Sequence, residues 1–164
     1  MLVILFFACV VMHELGHSLT ARRYGVQVPR ILLMPIGGMA EMDRIPRRPS
    51  AELLITIAGP AVNVVIVVLL LPLIWTDLWS TEAVPAHSLA ELLINLAAAN
   101  AVMAVFNLLP VFPMDGGRIL RALLALRFPY LRATYWAALL GKVLAVIFAG
   151  GAVYFFSNYL MAAL

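Results

Sequence analysis

The stretch MLVILFFACVVMHELGHSLTARR, residues 1–23, decides the architecture of this chain. Its first twelve residues carry no charged side chain, and His13, Glu14 and His17 then follow within five positions. An apolar run of this length is close to the roughly 20 residues that a helix needs to cross the hydrocarbon core of a bilayer. Ionisable side chains inside such a span are costly and usually mark a functional site. The stretch therefore predicts a membrane-spanning helix that carries chemistry.

The composition of the whole chain also indicates a membrane protein. Of the 164 residues, 65% are hydrophobic and 12% are charged, whereas soluble domains contain roughly 45–50% apolar and 25% charged residues. So few charges cannot cover the surface of a soluble globule, which excludes a cytosolic enzyme and a disordered chain. Cys9 is the single cysteine, so the chain cannot form an intrachain disulfide, which excludes a secreted disulfide scaffold.

Three further apolar stretches complete the prediction of an all-α polytopic membrane protein, with one transmembrane core domain over residues 1–164. Together with the first stretch, the expected spans cover residues of about 1–21, 53–75, 89–109 and 131–156. A shorter apolar piece at 31–42 is broken by Pro35, Gly37 and Gly38, so it cannot form a helix across the bilayer. It predicts a short re-entrant, hairpin-like segment whose backbone polar groups are sheltered by protein.

The distribution of basic residues predicts the orientation in the membrane. Six arginines lie in residues 22–48 and four more in residues 118–132, whereas residues 76–90 contain neither Lys nor Arg. The positive-inside rule places the two basic connections in the cytoplasm, and His13 and His17 fall near that end of their helix. The net charge of +3 is expected to reflect this topology and contact with lipid headgroups, not a nucleic-acid partner.

The HELGH motif at residues 13–17 predicts a metal site. Residues four apart on an α-helix differ by about 40° in rotation and about 6 Å in rise, so both histidines can reach one ion. Glu14 lies about 100° from His13 around the helix, close enough to deprotonate a water molecule there. Neutral imidazoles suit Zn²⁺. The alternative is that both histidines are only hydrogen-bonded within the bundle and that Glu14 pairs with an arginine, but the cost of three buried ionisable groups favours the metal.

A catalytic zinc needs a third protein ligand, and Asp115 is the best candidate. The remaining histidine, His87, lies in the connection predicted to be outside. Asp115 follows the third span as it returns to the cytoplasmic side, where Pro110 and Pro113 break the helix. A helix break at membrane depth is tolerated where it lines a cavity. The alternative role of Asp115 is to cap the short helix that we expect after Gly116.

Four motifs in this order resemble the site-2 protease family of intramembrane zinc metalloproteases. They are HELGH at 13–17, PIGG at 35–38, GPAVN at 59–63 and LLPVFPMDGGR at 108–118. The resemblance implies that His13, His17 and Asp115 bind one zinc ion and that Glu14 is the catalytic base. It also implies activity towards a peptide bond within or near the transmembrane segment of another membrane protein, as in regulated intramembrane proteolysis.

The resemblance further implies roles for residues outside the ligand set. Asn107 is expected beside the active site, where its amide would bond the substrate backbone or the developing oxyanion. Asn63 is expected to approach the site from the second span; the alternative is an ordinary bond between helices. The Gly37-Gly38 segment is expected to pair with an unwound substrate by strand addition.

The same resemblance implies a single-span membrane protein as substrate, with membrane-tethered transcription regulators as one candidate class. Members of the family usually have further spans on either side of these four, so this chain is expected to be a minimal core or to receive those helices otherwise. Two other hypotheses stay open. One is a non-catalytic zinc-binding membrane protein or a metal transporter, and the other is an inactive scaffold that captures membrane helices.

Overall fold

The computed structural model describes residues 1–27, 30–34, 37–41, 48–79 and 88–162. Pro35 and Ile36 of the PIGG motif, and also His87, lie outside this described part. Within it the chain forms five helices and two strands. Their order is α1 (Leu2–Arg23), β1 (Arg30–Met34), β2 (Gly37–Glu41), α2 (Pro49–Trp79), α3 (Leu89–Asn107), α4 (Asp115–Ala125) and α5 (Tyr130–Ala162).

Four of these helices are long and apolar enough to cross a membrane, which confirms the prediction of an all-α polytopic membrane protein. The membrane-length segments are Leu2–Arg23, Pro49–Trp75, Leu89–Asn107 and Tyr130–Tyr159. Among these membrane-length segments, the largest difference from the sequence-based spans is at α2, which begins at Pro49, where the prediction begins at residue 53. Proline is favoured in the first helical turn because its missing N–H needs no partner there, and the acidic Glu52 that follows is buried in protein.

The segment expected to be hairpin-like forms a two-stranded antiparallel hairpin. Arg30 lies opposite Glu41 at one end of the ladder, and Met34 lies opposite Gly37 at the other. β2 contacts α1, the helix that carries the HELGH motif. The hairpin is therefore attached to the helix of the predicted metal site.

α2 is the central helix, because it contacts α1, α3 and α4. Small residues allow its close approach to α1: a Cβ atom added to Gly16 would lie only 2.7 Å from the carbonyl oxygen of Ala58. In membrane proteins, such small residues let helix backbones pack closely where lipid removes the hydrophobic driving force. The polar face of α1 is thus pressed against α2.

The connection between α3 and α4 is a tight loop of residues 108–114 that folds back on the start of α4. A Cβ atom at Gly116 would overlap the carbonyl oxygens of Leu108 and Leu109. From the other side, Ala133 and Ala137 of α5 are fully buried, and α5 packs on α4. This packing places the first residue of α4, Asp115, inside the protein.

Candidate metal centre

Three predicted metal ligands converge at one point in the structure. The Nε2 atoms of His13 and His17 are 3.2 Å apart. The Oδ2 atom of Asp115 lies 3.3 Å from the first and 3.1 Å from the second. All three residues are buried, with at most 8% of their surface exposed. Two helices that are far apart in sequence, α1 and α4, therefore contribute to one candidate metal site.

The position of Asp115 differs from the helix-capping alternative. The N-cap of α4 is Met114, and Asp115 is the first helical residue, so its carboxylate is free to lie against the two imidazoles. Burial raises the pKa of this carboxyl and the adjoining imidazoles lower it, with a net fall to about 2. The group is therefore a charged acceptor at neutral pH.

Hydrogen bonds at the opposite ring nitrogens fix the tautomer of both histidines. His17 Nδ1 lies 2.8 Å from the carbonyl oxygen of Ile55, and a carbonyl can only accept, so Nδ1 carries the hydrogen. His13 Nδ1 donates to Asn63 Oδ1 at 2.5 Å. Asn63 Nδ2 in turn donates to Asn100 Oδ1 at 2.9 Å, and Asn100 Nδ2 donates to the carbonyl of Leu96 at 2.8 Å. Because the Leu96 carbonyl can only accept, each bond in this chain must donate in the direction from His13 towards Leu96.

The tautomers turn the cluster into a set of three converging acceptors. A neutral imidazole with its hydrogen on Nδ1 presents a lone pair at Nε2, so two lone pairs and a carboxylate oxygen face one another. Such an arrangement can hold a cation between the three atoms. In a tetrahedral zinc site with bonds of about 2.0–2.1 Å, ligand atoms are about 3.3 Å apart. The observed separations of 3.1 to 3.3 Å fit Zn²⁺ closely.

Gly59 of α2 lies directly against the two imidazoles. A Cβ atom there would lie 2.8 Å from His13 Nε2 and closer still to His17 Nε2. Any larger residue would displace the ligand atoms. The absence of a side chain at Gly59 therefore lets the α2 backbone lie directly against the ring nitrogens.

Glu14 lies beside the ligands and is buried, with 8% of its surface exposed. Across the residues that the structure describes, it makes no hydrogen bond or ion pair. The alternative in which Glu14 pairs with an arginine is therefore not observed in that part of the chain. A carboxylate next to two ligands and without a fixed partner is suited to exchange protons.

Two other predicted site features are not joined to the cluster. The side-chain amide of Asn107 is partly buried and donates to the carbonyl of Met103 in its own helix at 3.0 Å. Gly37 and Gly38 pair with Met34 and Leu33 within the hairpin. Asn63, in contrast, contacts a ligand directly, through His13.

Sequence reasoning missed Asn100, which completes the support of His13. The sequence did offer one indication of such a role, which is the residue type itself. A polar side chain in an apolar span is costly and usually has a specific partner. That signal is ambiguous in α3, which also contains Asn95. Asn100 is fully buried, whereas Asn95 is exposed, and only helix packing distinguishes them.

The fold and the site together define a class: an integral membrane protein whose helices bring two histidines and an aspartate together as a candidate metal site. The model of peptidase family M50 matches residues 1–81 and 78–149. The chain belongs to this family, and its resemblance to the site-2 proteases is confirmed by a solved structure, the site-2 protease from Methanocaldococcus jannaschii. That structure has a TM-score of 0.65 and 47% sequence identity, over 88% of this chain and 63% of the other.

Two relatives with known names are also similar to this chain in sequence. A zinc metalloprotease of Methanocaldococcus jannaschii is 49% identical over 147 residues, covering 89% of this chain and 41% of the relative. Stage IV sporulation protein FB of Bacillus subtilis is 29% identical over 126 residues, covering 76% of this chain and 40% of the relative. The chain thus spans less than half the length of both relatives.

Proposed function

We propose that this chain is the catalytic core of an intramembrane zinc metalloprotease, which hydrolyses peptide bonds within or near the transmembrane segments of other membrane proteins. The observation that carries the proposal is the convergence of three acceptors, from His13, His17 and Asp115, at 3.1 to 3.3 Å beside the buried Glu14. Family membership and the solved site-2 protease structure support the same reaction class.

The three ligands would hold one zinc ion, which supplies Lewis-acid chemistry by acidifying water and polarising a peptide carbonyl. Glu14 accepts the proton of the attacking water on its carboxylate and returns it to the leaving amine nitrogen, so the proton count is balanced. Asn63 holds the His13 ring through Nδ1, and the Ile55 carbonyl holds the His17 ring in the same way. Asn107 offers its amide to the substrate backbone once it leaves the Met103 carbonyl.

The substrate must present an extended backbone, because the carbonyls of a helix are sterically closed to attack. The β-hairpin offers a template for this conformation, and β2, which includes Gly37 and Gly38, contacts the helix that carries Glu14. An unwound segment that pairs with a hairpin edge would gain backbone hydrogen bonds in place of its helical ones. We propose a single-span membrane protein as substrate, with membrane-tethered transcription regulators as a candidate class.

The orientation of the site is proposed from the distribution of charge. Arg22 and Arg23 end α1, about one and a half helical turns beyond His17. Residues 118–132, in and just after α4, contain four arginines. By the positive-inside rule, both elements end on the cytoplasmic side. The active site would therefore cleave near the cytoplasmic face.

Replacing Glu14 with Gln tests the enzymatic function. The purified protein in liposomes, loaded with zinc, is incubated with a panel of single-span peptides whose helices contain Gly or Pro. We expect Glu14→Gln to lower the cleavage rate by about 10²- to 10⁴-fold, because general base catalysis is lost, while zinc content stays at one ion per chain. His13→Ala should lose both zinc and cleavage.

Two outcomes would contradict this function. Cleavage that is unchanged in Glu14→Gln would show that the observed activity does not use this site. Zinc uptake into the liposomes that survives Glu14→Gln and is lost in His17→Ala would indicate a transporter.

A further inference from the structure

A second buried polar cluster lies outside the metal centre and joins three helices. Glu52 of α2 is only 1% exposed, and both of its carboxylate oxygens are bonded. Its Oε1 accepts from Arg121 Nε of α4 at 3.0 Å and from Nη2 of the same side chain. Its Oε2 accepts from the hydroxyl of Tyr130 of α5 at 2.7 Å. No sequence motif predicts this cluster.

The Arg121 guanidinium contacts the chain on both sides of Asp115. It lies over the ring of Phe112, at 5.5 Å from the centroid, and over the ring of Tyr130, at 5.3 Å. Phe112 belongs to the loop that leads into α4, three residues before Asp115, and Arg121 lies six residues after it. The guanidinium thus ties the loop and the helix together around the third ligand.

α2 contacts both helices that carry the candidate ligands, α1 and α4. In its N-terminal half, the Ile55 carbonyl and the Asn63 side chain accept hydrogen bonds from the two imidazoles. Glu52, less than one turn before Ile55, holds α4 through Arg121. A bonded Arg–carboxylate pair fixes distance and direction, whereas a buried ion pair adds little stability over apolar residues of the same size. The Glu52–Arg121 pair therefore serves to fix the position of α4 against α2 and adds little stability.

We propose that Glu52, Arg121 and Tyr130 form a positioning network that holds the Asp115 carboxylate at the correct distance from the two histidines. The proposal rests on the proposed function, in that Asp115 is taken as a zinc ligand. Without the network, α4 would pivot on its remaining apolar contacts, and the carboxylate would no longer meet the imidazole nitrogens within bonding range of one ion.

The test measures zinc affinity by competition with a chelator, in detergent and without any substrate. We expect Arg121→Leu to bind zinc about 10- to 100-fold more weakly, the usual effect of removing an outer partner of a metal site. Hydrogen exchange of the metal-free protein should show faster exchange in residues 112–121 and unchanged exchange in α1. Arg127→Leu is the matched control, since Arg127 is exposed just beyond the end of α4, and it should bind zinc as the wild type does.

A double variant separates positioning from stability. Arg121→Leu leaves the buried Glu52 carboxylate without an opposite charge, with the Tyr130 hydroxyl as its remaining partner, and is expected to lower the melting temperature. Glu52→Leu with Arg121→Leu removes both charges and should restore it. A positioning role predicts that the double variant still binds zinc weakly. A double variant with wild-type zinc affinity would overturn the proposal.

The control variant His13→Ala separates a failure of the metal centre from a failure of the positioning network. If the wild type binds zinc and His13→Ala does not, the metal centre stands, and wild-type affinity in the Arg121 variants refutes only the network. If the wild type takes up no zinc, or His13→Ala binds it equally well, the metal centre itself is refuted and the network with it.

Discussion

Asn63 and Asn100 place two side-chain amides inside a membrane protein, where an unsatisfied polar group costs about 1–3 kcal/mol. Each amide donates one hydrogen bond and accepts one, and together they fix the direction of the hydrogen bonds from His13 to the Leu96 carbonyl. Residue identity matters because an amide has both a donor and an acceptor. The outcome is that the lone pair of His13 Nε2 faces Asp115.

We predict that Asn100→Leu weakens zinc binding by about 10- to 100-fold, because Asn63 would no longer be held in the orientation that accepts from His13. Asn63 would be free to rotate and present its NH₂ group to Nδ1, which favours the wrong tautomer. Zinc affinity by chelator competition checks this. Asn95→Leu, an exposed position on the same helix, is the control, and equal affinities in the two variants would refute the role of Asn100.

Among the secondary-structure elements, α2 determines the geometry of the centre because it touches every helix that carries a ligand. It runs from Pro49 to Trp79 and includes Pro60 and Pro72 within its length. Its contact with the histidines depends on one missing side chain, that of Gly59. Helix α2 can support both imidazoles only because its backbone lies against them.

The corresponding prediction concerns Gly59→Ala. The added methyl group would occupy the space of the imidazole nitrogens, so the variant should bind zinc at least about tenfold more weakly. We expect this loss even though alanine stabilises a helix by about 0.5–1 kcal/mol relative to glycine. Gly150→Ala on α5 is the matched control, since nothing lies within 4 Å of a Cβ atom there. Zinc content after dialysis measures both, and a fully loaded Gly59→Ala protein would contradict the close packing.

Over the whole molecule, the centre connects parts of the chain that are 98 residues apart, from His17 to Asp115. A ligand that binds only the folded state adds stability that grows with its concentration, about 4 kcal/mol at 1,000 times its dissociation constant. Zinc held by α1 and α4 would therefore act as a cross-link between the first and the fourth helix.

We predict that removing zinc with a chelator lowers the melting temperature in detergent and that adding zinc restores it. Circular dichroism or tryptophan fluorescence would follow the transition. In His13→Ala the melting temperature should be insensitive to both treatments, because the ligand set is incomplete. A wild-type protein with the same melting temperature in chelator and in zinc would show that the centre does not link the helices.

The amino-acid sequence alone was enough to predict the membrane class, the four apolar spans and the proximity of His13 to His17. These depend on composition and on the local geometry of one helix, which hold whatever the helices pack against. It also indicated Asp115, but through the need for a third ligand and the position of its loop, not through local geometry.

The tertiary structure decided which polar residues support the centre. Asn100 and not Asn95 faces Asn63, Asn107 bonds its own helix, and Glu52 meets Arg121 across a gap of 69 residues. In a soluble helix, an apolar stripe would have revealed the buried face. In a membrane, lipid is as apolar as the protein core, so the sequence carries no such contrast between the two faces. Only the packing of the helices decides which of their polar residues meet.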